Sequence, residues 1–413
     1  MPKKNDTLTA AKDKKSDEFY TQYEDIQREI NAYLEYNPDT FKDKVVLLPC
    51  DDPEWSNFTR FFAQNFEMLG LKKLISTSYA TESKQKHENV QLSLFDFLTD
   101  YETSSTKYDE NISPKCGKIF TLTRDMNNSG YVDIDDLEWH YLEGDGDFRS
   151  DEVSKLRDEA DIIVTNPPFS LFREFLAWIM KAEKKFLIIG NVNCISYKEV
   201  FPLIKENKIW TGCRFNERIN GKIMTFRVPD SYPLTGTELF VGEDGKKYIS
   251  VAGTGWFTNL DHGRRHQPIS LMTMADNLKF SVHKEVKESG YPKYDNYDAI
   301  EVPYTDAIPS DYDGIMGVPI SFIKYFCPEQ FEIVGMTSGR EEFDKIAWPT
   351  KRYINPIQVN KNGTTTNGSK ANTRATILLD EIPEGTIYYT ADNADKPFQI
   401  LYARILIRKK VSE

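Results

Sequence analysis

The chain has 413 residues, enough for two domains or one enlarged one, and 39% of them are hydrophobic, so a sizeable core is expected. Its net charge of -12 argues against indiscriminate nucleic-acid binding but leaves room for a local basic face; no apolar run is as long as a membrane span, and Met1-Pro2-Lys3-Lys4-Asn5-Asp6 has no apolar leader core. Five scattered cysteines without a CxxC pair predict neither a disulfide framework nor structural zinc, and the composition is consistent with a cytoplasmic protein.

Residues 1–16 are polar and lysine-rich and read as a disordered tail. A helix is expected from about Asp17 to Tyr36, with Ile26, Ile30, Tyr33 and Leu34 on one face and Asn37-Pro38 as its stop. Val45 to Leu48 reads as a fully buried strand. In the helix that follows, Asp52 is the expected N-cap and Pro53 the first helical residue. Phe58, Phe61, Phe62, Phe66 and Leu69 form its apolar stripe, and Gly70 ends it. Leu71 to Tyr79 reads as a second strand, and the resulting βαβ unit implies a parallel sheet.

From about Glu82 to Glu138 the alternation is poor. Gly117 to Thr123 and Tyr131 to Ile134 suggest a hairpin around Asn127-Asn128-Ser129-Gly130. Asp125 to Asp136 also matches a calcium-loop spacing, but the segment before it is β-rich where that motif needs a helix, and its last ligand position holds Asp136 instead of Glu. The hairpin turn is the preferred reading, and no metal is expected.

The βα pattern then resumes: helix Ser150 to Ala160, strand Asp161 to Thr165, helix Leu171 to Glu183, strand Lys185 to Ile189. In the second of these helices Phe172, Phe175, Leu176 and Ile179 form the face to be buried. Beyond about Asn191 come short β-like runs, Lys222 to Val228 and Lys247 to Ala252. After roughly Asp261 the chain is irregular, with Gly363 to Ser369 as an exposed loop. A boundary is expected near residue 260.

The chemistry is concentrated in Asn166-Pro167-Pro168-Phe169, between the strand Asp161–Thr165 and the helix after it. Open α/β sheets place their sites at such strand ends. The turn presents an amide oxygen (Asn166) and a carbonyl (Pro167) with no competing proline N–H. Two such acceptors suit the hydrogens of a planar exocyclic amine, whose lone pair is delocalised and which is a poor nucleophile until it becomes more tetrahedral. Phe169 can stack on the base carrying that amine, an interaction worth about 1–3 kcal/mol per base. A base in a duplex must be flipped out to reach it. The plain alternative is an ordinary turn after a strand.

These residues resemble the catalytic motif of the amino-methylating DNA methyltransferases. Phe19-Tyr20-Thr21-Gln22, placed in the first helix, is similar to their Phe-Tyr-Thr-Pro cofactor motif, with Gln22 replacing Pro. Pro49 to Phe58 (Pro-Cys-Asp-Asp-Pro-Glu-Trp-Ser-Asn-Phe) resembles the cofactor loop of the EcoRI-type adenine-specific methyltransferases in particular, and Gly144-Asp145-Gly146-Asp147-Phe148-Arg149-Ser150 is similar to the same family. The likeness runs from roughly Asp17 to Asp261. It implies S-adenosylmethionine as methyl donor, N6-methyladenine in double-stranded DNA as product, and a class I methyltransferase fold: a Rossmann-like, mostly parallel sheet with helices on both faces over residues 17–260, and an irregular α+β target-recognition region over 261–413.

Implied catalytic residues are Asn166, Pro167, Pro168 and Phe169. Implied cofactor ligands are Tyr20, Thr21, Asp51, Asp52, Pro53 and Ser56, with the following helix N-terminus near the methionine carboxylate, and Asp145 and Asp147 near the cofactor adenine, with Phe148 packing on it. The loop after the first strand has no Gly-x-Gly, and Ser76-Thr77-Ser78-Tyr79 carries no acidic residue for the ribose, whose ligand stays open.

Two basic stretches interrupt the acidic chain. Pro202 to Val228 has six basic against two acidic residues, and Lys351 to Arg374 has five basic and none acidic. Candidate DNA ligands are Arg264, Arg265, Arg340, Lys351, Arg352, Lys361 and Arg374, against the alternative of a solvated surface. Trp256 to His266 offers either a wall of the base pocket with a phosphate clamp, or a core Trp-Phe pair followed by a loop. A cognate restriction endonuclease is a candidate partner; the oligomeric state and the recognition sequence are not written in the chain. The rival readings are the same chemistry on RNA or on a protein glutamine, and an inactive DNA-binding module that kept the fold.

Overall fold

The computed structural model describes residues 20–80, 105, 107–123, 139–215, 224–228, 239–242, 244–250, 253–338 and 349–410. The expected tail (1–16), the hairpin turn and its second strand (127–134), the calcium-like spacing (125–136) and Arg340 lie outside them. The chain divides into two compact units, Met1–Cys194 with Thr211–Gly263, and Ile195–Trp210 with Arg264–Glu413.

The first unit is built on strands β1 (Tyr20–Thr21), β2 (Val45–Leu48), β3 (Lys73–Thr77), β4 (Lys118–Leu122), β5 (Trp139–Tyr141), β6 (Ile162–Thr165) and β7 (Lys185–Asn191), then β8 (Trp210–Thr211), β9 (Thr225–Arg227), β10 (Leu239–Val241), β11 (Lys247–Ser250) and β12 (Thr254–Thr258). Eight of these form one sheet in the order β5-β4-β3-β2-β6-β7-β12-β8. Its four central strands, β3, β2, β6 and β7, are parallel. The pairs β3–β4, β4–β5 and β7–β12 are antiparallel, so the sheet is mixed where a mostly parallel one was expected. β2 and β6 are buried at every residue, which is why they read as unbroken apolar runs instead of alternating ones.

Four helices accompany the sheet: α1 (Tyr23–Tyr36), α2 (Asn57–Gln64), α3 (Asp151–Glu159) and α4 (Phe172–Lys181). Two expectations are corrected. Tyr20-Thr21 is not helical: it is a short strand paired antiparallel with Phe226 and Arg227, and α1 starts only after Gln22. The N-cap of α2 is Ser56, whose hydroxyl accepts from Phe58 N (3.0 Å), not Asp52. Pro53 therefore precedes the helix in a turn. The stripe Phe58, Phe61, Phe62, Phe66 and Leu69 is buried as expected, in one cluster with Ile26, Ile30, Tyr33, Phe120 and Trp256.

The second unit corrects the expectation of irregularity. After helices α5 (Phe201–Lys205), α6 (Met274–Phe280) and α7 (Lys284–Ser289) come β13 (Ile300–Glu301), β14 (Met316–Pro319), β15 (Phe331–Met336), β16 (Ile357–Val359), β17 (Thr365–Asn367), β18 (Thr376–Leu378), β19 (Tyr388–Thr390), β20 (Phe398–Ile400) and β21 (Arg404–Lys409). They form two sheets, β13-β14-β21-β15 and β17-β16-β19-β20-β18. Most of these strands have only two to four residues, too short for a period to show. Under the five-stranded sheet Tyr353 stacks on Phe398 (4.1 Å between centroids). In the four-stranded one the buried Glu301 carboxylate takes three bonds from Arg404 (2.9, 3.2 and 2.7 Å) and one from the Tyr294 hydroxyl.

α1 is fastened to the sheet by a carboxylate. Glu29 is fully buried and accepts from the backbone N–H groups of Cys213 (2.7 Å) and Arg214 (2.9 Å). Burial pushes its pKa up to about 7, the two donors offsetting that only in part. A carboxyl with a higher pKa folded than unfolded binds more protons when folded, so its contribution is present below the unfolded value and is lost as pH rises through the folded one. Stability is expected to fall by up to about 3 kcal/mol on this account between pH 4.5 and 7. Glu29→Gln should flatten that part of the profile, read by urea unfolding across the range.

Candidate active site

The loops after β2, β3 and β6 meet at the carboxyl ends of the parallel strands, where open α/β sheets bind ligands. Asp51, just past β2, is buried, and its backbone N–H donates to Thr77 O (2.9 Å) at the end of β3. Its carboxylate is shared. Ser56 Oγ donates to Oδ1 (2.7 Å) and Thr165 Oγ1 to Oδ2 (2.6 Å). Ser76 Oγ donates to the Asp51 carbonyl (2.5 Å). One residue thus joins the ends of β2, β3 and β6 to the start of α2.

Asn166 follows Thr165 directly. Asn166 and Phe169 are half-buried and Pro167 and Pro168 buried, with Phe169 packed against the main core cluster. The Pro168 carbonyl closes the turn by accepting from Leu171 N (3.0 Å). The Pro167 carbonyl takes no hydrogen bond among the described residues, so it stays available as an acceptor.

The segment Tyr20-Thr21 is brought to the same loop. Asn57, the first residue of α2, donates from Nδ2 to Thr21 O (2.8 Å). Thr21 Oγ1 is buried with no hydrogen-bond partner among the described residues, an uncommon state for a buried hydroxyl. Asp52 and Glu54 follow in the same loop. Both carboxylates hold the ammonium of Lys118 (3.2 and 2.8 Å), which is buried and lies over the Trp139 ring (4.8 Å). Lys118 therefore fixes the outer half of the loop, with Pro53 half-way along it.

The Gly144–Arg149 loop lies flush on the end of β3. Ala80 N donates to Asp145 O (2.7 Å), and Gly146, at φ +81°, leaves no room for a side chain: a Cβ there would meet Ser78 O at 2.1 Å. Asp147 accepts three bonds from Arg149 (2.6 to 3.2 Å). Burial opposes its ionisation, but the Arg149 bonds outweigh it and hold its pKa below the ordinary carboxylate range. Phe148 departs from expectation. Its ring is fully buried edge-on to Phe175 (5.0 Å) and Trp178 (5.6 Å), so it supports the loop from the core instead of offering a face to a ligand. Trp256 and Phe257 are likewise core residues, not a pocket wall: both are fully buried in β12.

The proposed DNA ligands of the second unit are not brought to one place by side-chain contacts. Arg265 lies over the Trp210 ring (3.6 Å) and bonds Asn207; Arg264 is half-buried beside it in the chain. Lys351 is paired with Asp295 (2.9 Å), and half-buried Arg374 donates to Thr373 O (2.9 Å). Arg352 and Lys361 are exposed.

Comparison with known proteins gives the family. The model of the family described as "Adenine-specific methyltransferase EcoRI" matches residues 7–410. The chain belongs to that family. It is 44% identical over 340 residues to the type II methyltransferase M.EcoRI of Escherichia coli, covering 82% of this chain and 92% of that protein. It is 35% identical over 326 residues to M.MpnI of Mycoplasma pneumoniae (78% of this chain, 83% of that protein), and equally so to M.MgeORF184P of Mycoplasma genitalium (78% and 84%). No solved structure matches the chain significantly.

Sequence reasoning missed the residues that hold the site together. Thr165 was visible only as a polar residue ending an apolar strand, and Lys118 had no local signal at all. Thr165→Val removes one donor to the buried Asp51 carboxylate and is expected to cost about 1–3 kcal/mol, whereas Thr165→Ser should lose clearly less; urea unfolding compares the two. Lys118→Met leaves two carboxylates facing each other without their cation, for an expected loss of about 3–5 kcal/mol in the same assay.

Proposed function

We propose that this adenine-specific DNA methyltransferase transfers a methyl group from S-adenosylmethionine to N6 of an adenine flipped out of double-stranded DNA, within a restriction–modification setting in the cytoplasm. The observation that carries the reading is the Asn166–Phe169 turn at the end of β6, tied through Thr165 and Asp51 to the loop after β2. The four parallel central strands with β12 antiparallel beside β7 support a class I methyltransferase arrangement. We assign catalysis to residues 17–260 and target recognition to 261–413; Ile195–Trp210 is the part of the first range that clusters with the second unit.

The residues present fit the donor. The hydroxyl of Thr21 is buried without a partner among the described residues, Asp51, Asp52, Pro53, Ser56, Asp145 and Asp147 belong to the loops at the same strand ends, and the pairing of β1 places the Tyr20 backbone beside Thr21. When bound there, S-adenosylmethionine supplies an electrophilic sulfonium methyl group. The chain's own residues then prepare the nucleophile. Asn166 Oδ1 and the Pro167 carbonyl accept the two amine hydrogens and favour a tetrahedral nitrogen, while Phe169 stacks on the base and offsets part of its lost stacking in the duplex. Burial of Pro167 and Pro168 keeps water from competing for those acceptors.

Asn166→Ala is expected to abolish methyl transfer, by at least a hundredfold, with cofactor affinity within a few-fold of the unaltered protein. Tritiated-methyl incorporation into duplex DNA and titration calorimetry with S-adenosylmethionine measure the two sides. Near-normal transfer by the variant would remove Asn166 from the mechanism.

A further inference from the structure

We infer that the hairpin β16–β17, the outer pair of the five-stranded sheet, meets the major groove of the substrate DNA with its connecting loop and its exposed edge strand, an inference that rests on reading the chain as a DNA methyltransferase. β17 is the outer strand of its sheet and is exposed at all three residues. β19 holds the other side of β16 over all three of its residues, so β17 and the loop that joins the two strands are the parts of the hairpin open to a ligand. An exposed edge of this kind otherwise invites pairing with another chain.

Charge complementarity names the occupant. The ribbon lies within Lys351–Arg374, which has five basic residues and no acidic one in a chain of net charge -12. Lys351 is taken up by Asp295, but Arg352, Lys361 and Lys370 are exposed and form no ion pair among the described residues. Asp392, a carboxylate bonded to this segment, meets Asn355 (2.8 Å) at the ribbon's root, whereas Lys361 stands at its tip. A polyanion approaching the tip meets Lys361 first, while Arg352 and Lys370 flank the two strands at the root.

The tip is ordered before any partner arrives. Gly363 N donates to Asn360 O (2.8 Å) and Asn360 N to Thr364 O (2.9 Å), with Gly363 at φ +79°. Thr364 Oγ1 donates to Asn362 Oδ1 (2.7 Å) and accepts from Asn360 Nδ2 (3.1 Å). A loop fixed in this way loses little freedom on binding.

Register selects the reading face. Ile357 pairs with Asn367 and Val359 with Thr365, so these four side chains share one face, and Ile357 is 44% exposed there. Asn367 Oδ1 accepts from Ser369 N (2.7 Å), which orients its amide so that the NH2 is the group left to meet a base acceptor. The methyl groups of Ile357 and Thr365 suit the thymine methyl. The opposite face is used internally: Gln358, paired with Thr366, accepts from the Tyr389 hydroxyl (2.7 Å).

The test compares the full chain with Lys361→Ala, the double variant Ile357→Ala/Thr365→Ala, and Thr366→Ala as opposite-face control. Each is given a randomised duplex library and read by modification-sensitive sequencing, with duplex affinity against salt and S-adenosylmethionine calorimetry alongside. Lys361→Ala should weaken duplex binding several-fold and lower the salt slope by about one while keeping the motif. The double variant should relax discrimination at one motif position by about tenfold or more, and Thr366→Ala should leave the motif intact. An unchanged motif and unchanged duplex affinity in the first two variants, with cofactor binding preserved, would overturn the assignment. If the unaltered chain methylates no duplex at all, the underlying reading fails first and the ribbon assignment goes with it.

Discussion

The first unit depends on one buried carboxylate. Asp51 has no freedom to serve as an ordinary surface acid, because Ser56 and Thr165 each donate to one of its oxygens and Ser76 donates to its carbonyl. A carboxylate in a low-dielectric setting is costly unless such donors satisfy it, and once satisfied it is stiff. That stiffness joins three strand ends and a helix start. The distance between the turn that would orient the amine and the loop that would hold the donor is thereby set by protein bonds and not by the ligands themselves, which is what preorganisation of a transfer site requires.

A second layer of charge braces the first. Lys118 sits among Asp52, Glu54 and the face of Trp139, and Arg149 closes on Asp147 beside the Gly146 turn. Neither pair is placed like a reacting group. Both hold loops that glycine and proline have already bent, so the loops keep one shape without regular hydrogen-bond ladders. The division of labour is clear from what each acid touches: Asp51 spans elements, Asp52 and Glu54 anchor a loop edge, and Glu29 ties α1 to the chain near Cys213.

Much of this unit was legible in the sequence. β2, β6 and β7 and the helices α3 and α4 follow from apolar runs and periodicity, and the Asn-Pro-Pro-Phe turn falls where the strand–helix pattern puts it. The errors share a cause. Tyr20-Thr21 is a strand because Thr225–Arg227 pairs with it from some two hundred residues away, and no local propensity reports a partner at that distance. Asp52-Pro53 has good N-cap chemistry, yet Ser56 wins because Asp52 is drawn to Lys118. In the second unit, most strands have two to four residues and carry no readable period, so two sheets were taken for irregular chain.

The pairing of β1 has a consequence for biosynthesis. The segment that carries Thr21 is made about two hundred residues before its partner β9 and the strand that backs β9, β11 (Lys247–Ser250). Until they emerge, Tyr20-Thr21 has no sheet to join and Asn57 has no fixed carbonyl to hold. Closing that loop costs entropy that only the late strands repay. The junction of Thr21 with Asn57 is therefore completed near the end of the first unit's synthesis, and a nascent chain long enough to contain the Asn166 turn still lacks it.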